Sequence, residues 1–155
     1  MNPLVVLEEF SEYPRFADGR IDFSNASKAA SVHVVIRVGD EILLVQRSDE
    51  VSLYSGLWSG ITGYYDEPVS FSQKASEELR EEVGFSCEVE LAGCLEWKRD
   101  THWVTFFGCV CFDEKPVVVL NEENSAFVWV SLNNVSSYDL LPGFLEILNE
   151  LFDDF

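Results

Sequence analysis

Basic residues are scarce in this chain. Lys plus Arg number 10 against 28 Asp plus Glu in 155 residues, for a formal charge of −18. So few cations cannot build a large positive surface, which excludes nucleic-acid polymers and anionic membranes as partners. No apolar run approaches the roughly 18 residues that a membrane-spanning helix needs. The opening MNPLVVLEEF lacks a basic stretch and a long apolar core, so no signal peptide is expected. Cys87, Cys94, Cys109 and Cys111 show no CxxC or Cys/His spacing, so neither a zinc site nor a disulfide is expected. Cys109 and Cys111 alternate in an apolar run and should face one side of a strand as small buried hydrophobes. A reducing cytoplasm fits this cysteine usage.

What remains is a chain that is 47% apolar, long enough for one domain with a sizeable core. Residues 1–30 carry the weakest pattern and are expected to form an N-terminal extension packed on a domain spanning 31–155. Val5 to Phe10 reads as a strand and Ser24 to Ser27 as a loop. Ser31 to Val38 and Glu41 to Gln46 read as strands joined at Gly39-Asp40, a hairpin signal. Ser48 to Gly60 reads as a loop. Further strands are predicted over Glu88 to Trp97, His102 to Phe112, Pro116 to Leu120 and Phe127 to Val130, all rich in β-branched, aromatic or Cys residues. Leu140 to Phe152 has apolar residues at helical spacing. The order of strands, helix, strands, helix predicts an α/β fold with a mixed β-sheet between helices.

The most informative stretch is Gly63 to Phe85, GYYDEPVSFSQKASEELREEVGF. Phe71, Ala75, Leu79 and Val83 recur every four residues and make the core stripe of a helix. Ser70 or Ser72 can cap its start, and Gly84 suits its end. Glu78, Glu81 and Glu82 share one face at spacings where like charges repel by about 0.2–0.5 kcal/mol per pair. A hard divalent cation such as Mg²⁺ offsets that repulsion and keeps part of its water shell for phosphate oxygens.

This segment resembles the Nudix box: a glycine, five residues, Glu, seven residues, Arg-Glu, an aliphatic residue, any residue, Glu-Glu, any residue, glycine and an apolar residue. Gly63, Glu78, Leu79, Glu81, Glu82, Gly84 and Phe85 hold its register. Val69 stands at the first Glu and Glu77 at the Arg. Leu57 to Gly63 resembles the approach to the box, and Ile42 to Arg47 the strand that commonly ends in a basic residue. Phe127 to Leu132 resembles the segment after the family's distal metal-binding Glu, which makes Glu123 the candidate for that role. The resemblance implies a Nudix-like α/β/α sandwich and a Mg²⁺-dependent hydrolase, with Mn²⁺ as a substitute, that cleaves a diphosphate linkage in a nucleoside diphosphate derivative such as a nucleoside triphosphate or nucleotide sugar.

By that resemblance Glu81 and Glu82 are metal ligands. Glu78 is a ligand or the general base, and the Thr62 backbone carbonyl is a further ligand. Among scarce cationic and aromatic residues, Arg47, Lys98 and Trp58 are expected to touch substrate; Arg99, His102, Tyr64, Trp97 and Trp103 are lesser candidates. The Arg at the position of Glu77 orients the glutamates in the family. Lys74, four residues before Glu78, could supply that cation here, and Glu67 or Asp66 could replace the carboxylate missing at Val69. On sequence alone, Glu77 adds repulsion, and Glu77→Arg is expected to raise activity or metal affinity. The partner expected is a small nucleotide, and a homodimer stays open. The alternative is a nucleotide- or protein-binding module of the same fold with little catalysis, which Glu77 and Val69 favour. Isopentenyl-diphosphate isomerase-like chemistry would need a Cys with a second carboxylate, which Cys94 and the Cys109–Cys111 pair do not obviously provide.

Overall fold

Two strands rich in buried residues organise the molecule, whose computed structural model describes residues 2–155. Strand β1 (Lys28–Val38) and strand β2 (Glu41–Arg47) are joined by a turn at Gly39, where φ is +62°. A near-continuous apolar run is what a strand buried on both faces requires. Val32, Val34, Ile36, Leu43 and Val45 point into one core, while Val35, Ile42 and Leu44 point into another.

The remaining strands are β3 (Trp58–Ser59), β4 (Ile61–Tyr64), β5 (Gly93–Lys98), β6 (His102–Cys111) and β7 (Asn124–Ser131). The seven-stranded sheet runs β3-β2-β1-β6-β5, with β4 also on β1 and β7 also on β2. β1 and β6 pair in parallel from Lys28–His102 to Arg37–Cys111, and the other pairs are antiparallel. Helix α2 (Phe71–Val83) covers one face through Phe71, Ala75, Leu79 and Val83. Ser70 caps it by accepting from the Gln73 amide, and Gly84 ends it at φ +85°. Helix α3 (Phe144–Leu151) covers the other face through Phe144, Ile147 and Leu148. The result is the predicted mixed sheet between helices.

Several local expectations fail. Val5 to Phe10 is not a strand but a short helix, α1 (Pro3–Leu7), followed by a 3₁₀ turn (Glu8–Phe10). Asn2 accepts the Leu4 amide at 3.0 Å and Pro3 opens the helix, so the local capping outweighs the β-branched pair. Leu7 and Phe10 then bury one face, and Phe10 meets Phe23 edge-on at 5.1 Å. Burying a ring this fully is worth about 1.5–3 kcal/mol, which ties residues 2–23 to the core. Pro116 to Leu120 stays outside the sheet. Val117 and Val119 are exposed, and the Val119 amide instead meets the Val83 carbonyl at the end of α2. The strand predicted from Glu88 starts only at Gly93, and a 3₁₀ stretch (Leu132–Ser137) precedes α3. Cys109 is half-buried against the second core, whereas Cys111 is exposed, so the pair does not form the buried face expected.

Candidate active site

Helix α2 and the loop before β7 place their acidic residues around one cavity of about 520 Å³, which β4 also lines. Glu78, Glu81, Glu82 and Glu123 all line it. Carboxylate oxygens of Glu78, Glu82 and Glu123 lie within 4.8 Å of one another. Glu81 is solvent-exposed and lies outside that tight group. A Cβ at Gly63 would fall on the Glu78 carboxylate, so the glycine leaves that carboxylate its place against β4.

Glu82 is only 3% exposed. Its Oε1 accepts from Asn124 Nδ2 at 3.0 Å, and its Oε2 has no partner among the described residues. An unpaired buried carboxylate oxygen costs free energy. Burial and then the neighbouring Glu78 charge push the Glu82 carboxyl well above its usual range. Burial foremost pushes Glu78 up to about 7, with Glu81 and Glu123 adding to it. Glu123 is also raised, again by burial first. A set of converging oxygen donors with one orphaned atom fits a hard divalent cation.

These shifts set a sign for pH. In the unfolded chain a Glu releases its proton near 4.5, whereas folded Glu78 holds it to about 7. From about pH 4.5 upward the folded state therefore binds more protons, so metal-free stability falls as pH rises through 7. Glu67, lowered first by its hydrogen bond to Lys74, acts in the opposite sense but at lower pH. Thermal unfolding in chelator from pH 5 to 8 should show a falling Tm, and Mg²⁺ at pH 8 should restore it. A Tm that is flat or rising over this range would contradict the burial of these acids.

The cavity's other walls are mostly polar or aromatic, with Val51, Leu53 and Leu141 among them. Arg47 at the end of β2 donates Nε to the Leu53 carbonyl at 2.9 Å and Nη1 to Thr62 Oγ1 at 3.2 Å. Thr62 therefore orients the guanidinium with its side chain. Ser31 and Thr105 bond each other at 2.7 Å, and Trp97 Nε1 donates to Thr105 at 2.9 Å. Buried His33 accepts the Gly60 amide at Nε2, 3.0 Å away. Burial, then Arg47, brings its pKa down to about 3, so it stays neutral. Tyr64, Trp103 and Trp97 form a column of near-parallel rings with centroids 5.8 and 5.6 Å apart. Trp103 Nε1 donates to Tyr54 Oη at 3.0 Å. Tyr54 sits at φ +57° in the β2–β3 loop, a conformation uncommon for a bulky residue.

Lys98 and Trp58 are not brought to this cavity. Lys98 is exposed at the end of β5, and Trp58 packs edge-on against Tyr138 at 5.3 Å, toward α3. Lys98 lies one residue from Trp97, which does line the cavity, the displacement expected when neighbours alternate across a strand. The sequence carried no signal for His33, Ser31, Thr105 or Tyr54, because single polar residues in strands and loops have no spacing to read.

The reading of Glu77 is reversed. Lys74 is 1% exposed, and its Nζ lies 2.9 Å from Asp66, 2.7 Å from Glu67 and 3.3 Å from Glu77. Burial pulls the ammonium pKa down, but bonds to Glu67 and Asp66 outweigh it and the net shift is upward. Arg20 Nη2 lies 3.1 Å from the other Glu77 oxygen and 3.7 Å from Glu67. Glu77 is thus held between two cations and faces away from the acid triad. Lys74 serves Glu77, Asp66 and Glu67 rather than Glu78. An Arg at position 77 would meet Lys74 and Arg20, so the gain expected from sequence becomes a loss.

Residues 27–153 match a family model described as NUDIX domain. The MutT protein from Methanosarcina mazei Go1 is 22% identical, with a TM-score of 0.69 over 81% of this chain and 93% of its own. The NUDIX domain of Shewanella oneidensis NrtR, solved with ADP ribose, is 21% identical, with a TM-score of 0.68 over 79% and 85%. The E. coli dihydroneopterin triphosphate pyrophosphohydrolase is 19% identical, with a TM-score of 0.67 over 81% and 96%. No curated protein sequence matches the chain. Among the described residues no helix is long and apolar enough to cross a membrane.

Proposed function

This chain belongs to the Nudix family, and from that premise we propose that it is a divalent-metal-dependent hydrolase of a nucleoside diphosphate derivative. The observation that carries the reading is the convergence of Glu78, Glu82 and Glu123 around an orphaned, buried Glu82 oxygen. Those three would hold Mg²⁺ or Mn²⁺, with Glu81 and the Thr62 carbonyl at the edge of the same cavity. When bound, such an ion neutralises phosphate charge and lowers the pKa of coordinated water.

The protein's own groups divide the remaining work. Glu78 accepts a proton from the attacking water, and its carboxylate is aimed by the close Gly63 backbone. Water attacks phosphorus in the diphosphate linkage, and the phosphorus–oxygen bond to the leaving phosphate breaks. Arg47 offers Nη2, unpaired among the described residues, to a phosphate oxygen, with its fork pre-set by Leu53 and Thr62. The column of Tyr64, Trp103 and Trp97, with Tyr54 beside it, offers a planar face to a nucleobase. The reading as a non-catalytic binder drew on Glu77 and Val69; Lys74 and Arg20 neutralise Glu77, which leaves Val69 as its support.

The test is a panel of nucleoside triphosphates and nucleoside diphosphate conjugates with Mg²⁺ or Mn²⁺, read as phosphate released after phosphatase treatment. Metal-dependent cleavage of at least one member, abolished by chelator, is expected. Binding of both metal and nucleotide with no cleavage across the panel would favour the binding module instead.

A further inference from the structure

We propose that Arg20, which lies ahead of the family domain, is a positioning residue that supplies the guanidinium missing from the box helix. The proposal rests on the hydrolase reading for its catalytic consequence, though not for its structural one. Glu78 must stay seated against Gly63, and this seat has two sides: β4 with the turn after it, and helix α2. The turn carries Asp66 and Glu67, and the helix carries Lys74 and Glu77. Lys74 binds across the gap from the helix side through hydrogen bonds to Asp66 and Glu67, and lies 3.3 Å from Glu77 on its own helix. Arg20 spans the same gap at the cavity wall, reaching Glu77 at 3.1 Å and Glu67 at 3.7 Å with one nitrogen. The adjacent Ile21 amide donates to the Asp66 carbonyl at 2.8 Å, and buried Ile21 anchors the segment in the core.

Three acids and two cations thus form one network that fixes the turn to the helix, immediately behind Glu78. Removing Arg20 leaves Glu77 and Glu67 sharing Lys74, with less to hold the two sides of the seat in register. Charged partners behind metal-binding carboxylates typically affect affinity by about 10–100-fold. The segment is also joined to the domain by Lys28–Glu9 at 3.0 Å, which does not touch the helix. That pair provides a control for simple docking of the segment.

The experiment compares Arg20→Ala, Arg20→Lys and Lys28→Ala in the full chain, by Mn²⁺ affinity, kcat, KM and amide hydrogen exchange over residues 63–82. Arg20→Ala should weaken Mn²⁺ about tenfold or more and lower kcat with KM little changed. Arg20→Lys should recover part of both, and Lys28→Ala should match wild type. In a Glu77→Gln background the cost of Arg20→Ala should shrink, because the two act through one contact. Glu77→Arg should lower Mn²⁺ affinity. Wild-type affinity and exchange in Arg20→Ala would overturn the proposal while leaving the hydrolase reading intact. If wild type itself binds no Mn²⁺, the hydrolase reading falls, and exchange still decides the clamp: faster exchange in Arg20→Ala than in Lys28→Ala supports it, and equal exchange overturns it.

Discussion

Glu78→Gln is expected to lower kcat by about 10²–10⁴-fold, the range for loss of a positioned general base. Glu78 combines features that suit it to that role. Its carboxylate is mostly buried, sits against a glycine with no room for a side chain, and shares the cavity with the other acids. Without a cation its pKa is raised to about 7, chiefly by burial. A nearby cation favours the ionised form that accepts a proton. Gln keeps the shape but cannot take the proton. The variant should fold, because it removes a like charge beside Glu82. Circular dichroism and thermal unfolding check the fold, and steady-state kinetics on the best substrate of the panel measure the loss. Wild-type kcat in the variant would move the base elsewhere, with Glu123 the next carboxylate to replace.

Glu82→Gln should change stability and metal binding in opposite directions. In wild type this side chain is buried, half-satisfied by Asn124 and pushed toward its neutral form by burial and by Glu78. A glutamine keeps an oxygen for Asn124 and turns an amide toward the carboxylates. Relieving one unsatisfied buried acceptor should raise metal-free stability by about 1–3 kcal/mol at neutral pH. The same change deletes a central metal ligand. The loss of affinity should be at least the roughly 10–100-fold that follows removal of an outer partner. Thermal unfolding with and without Mn²⁺ reads both effects. The variant should melt higher than wild type in chelator and gain little from metal. Equal metal-induced shifts in the two proteins would remove Glu82 from the site. A residue that destabilises the empty fold is a common feature of functional sites.

The two sides of the site differ in how far they could be read from the chain. Glu78 and Glu82 were found because both lie within one helix turn, where covalent geometry sets their common face. Glu123 was found through the apolar strand that follows it, now β7, whose pairing with β2 carries the loop to α2. On the substrate side Arg47, Trp58 and Lys98 are singled out by sequence, and of the three Arg47 lines the cavity, together with the lesser candidates Tyr64, Trp97 and Trp103. A scarce residue type draws attention, but its direction depends on register against neighbouring strands.

Within this protein, local patterns by themselves determined the elements with strong periodicity. The stripe Phe71, Ala75, Leu79 and Val83 and the stop at Gly84 specified α2, and the β-rich runs on either side of the Gly39-Asp40 turn specified β1 and β2. Only the tertiary structure decided what Glu77 does. Its partner Arg20 lies 57 positions away in a segment with no periodic pattern. That distance is closed by Phe10, Ile21 and Phe23 packing into the core beneath α2. It likewise decided that Pro116 to Leu120 caps a helix instead of joining the sheet, since strand propensity describes one segment and a ladder needs a free edge beside it. A helix face follows from chain geometry over a few residues, whereas the neutralisation of a charge depends on which distant groups the topology brings within about 4 Å of it.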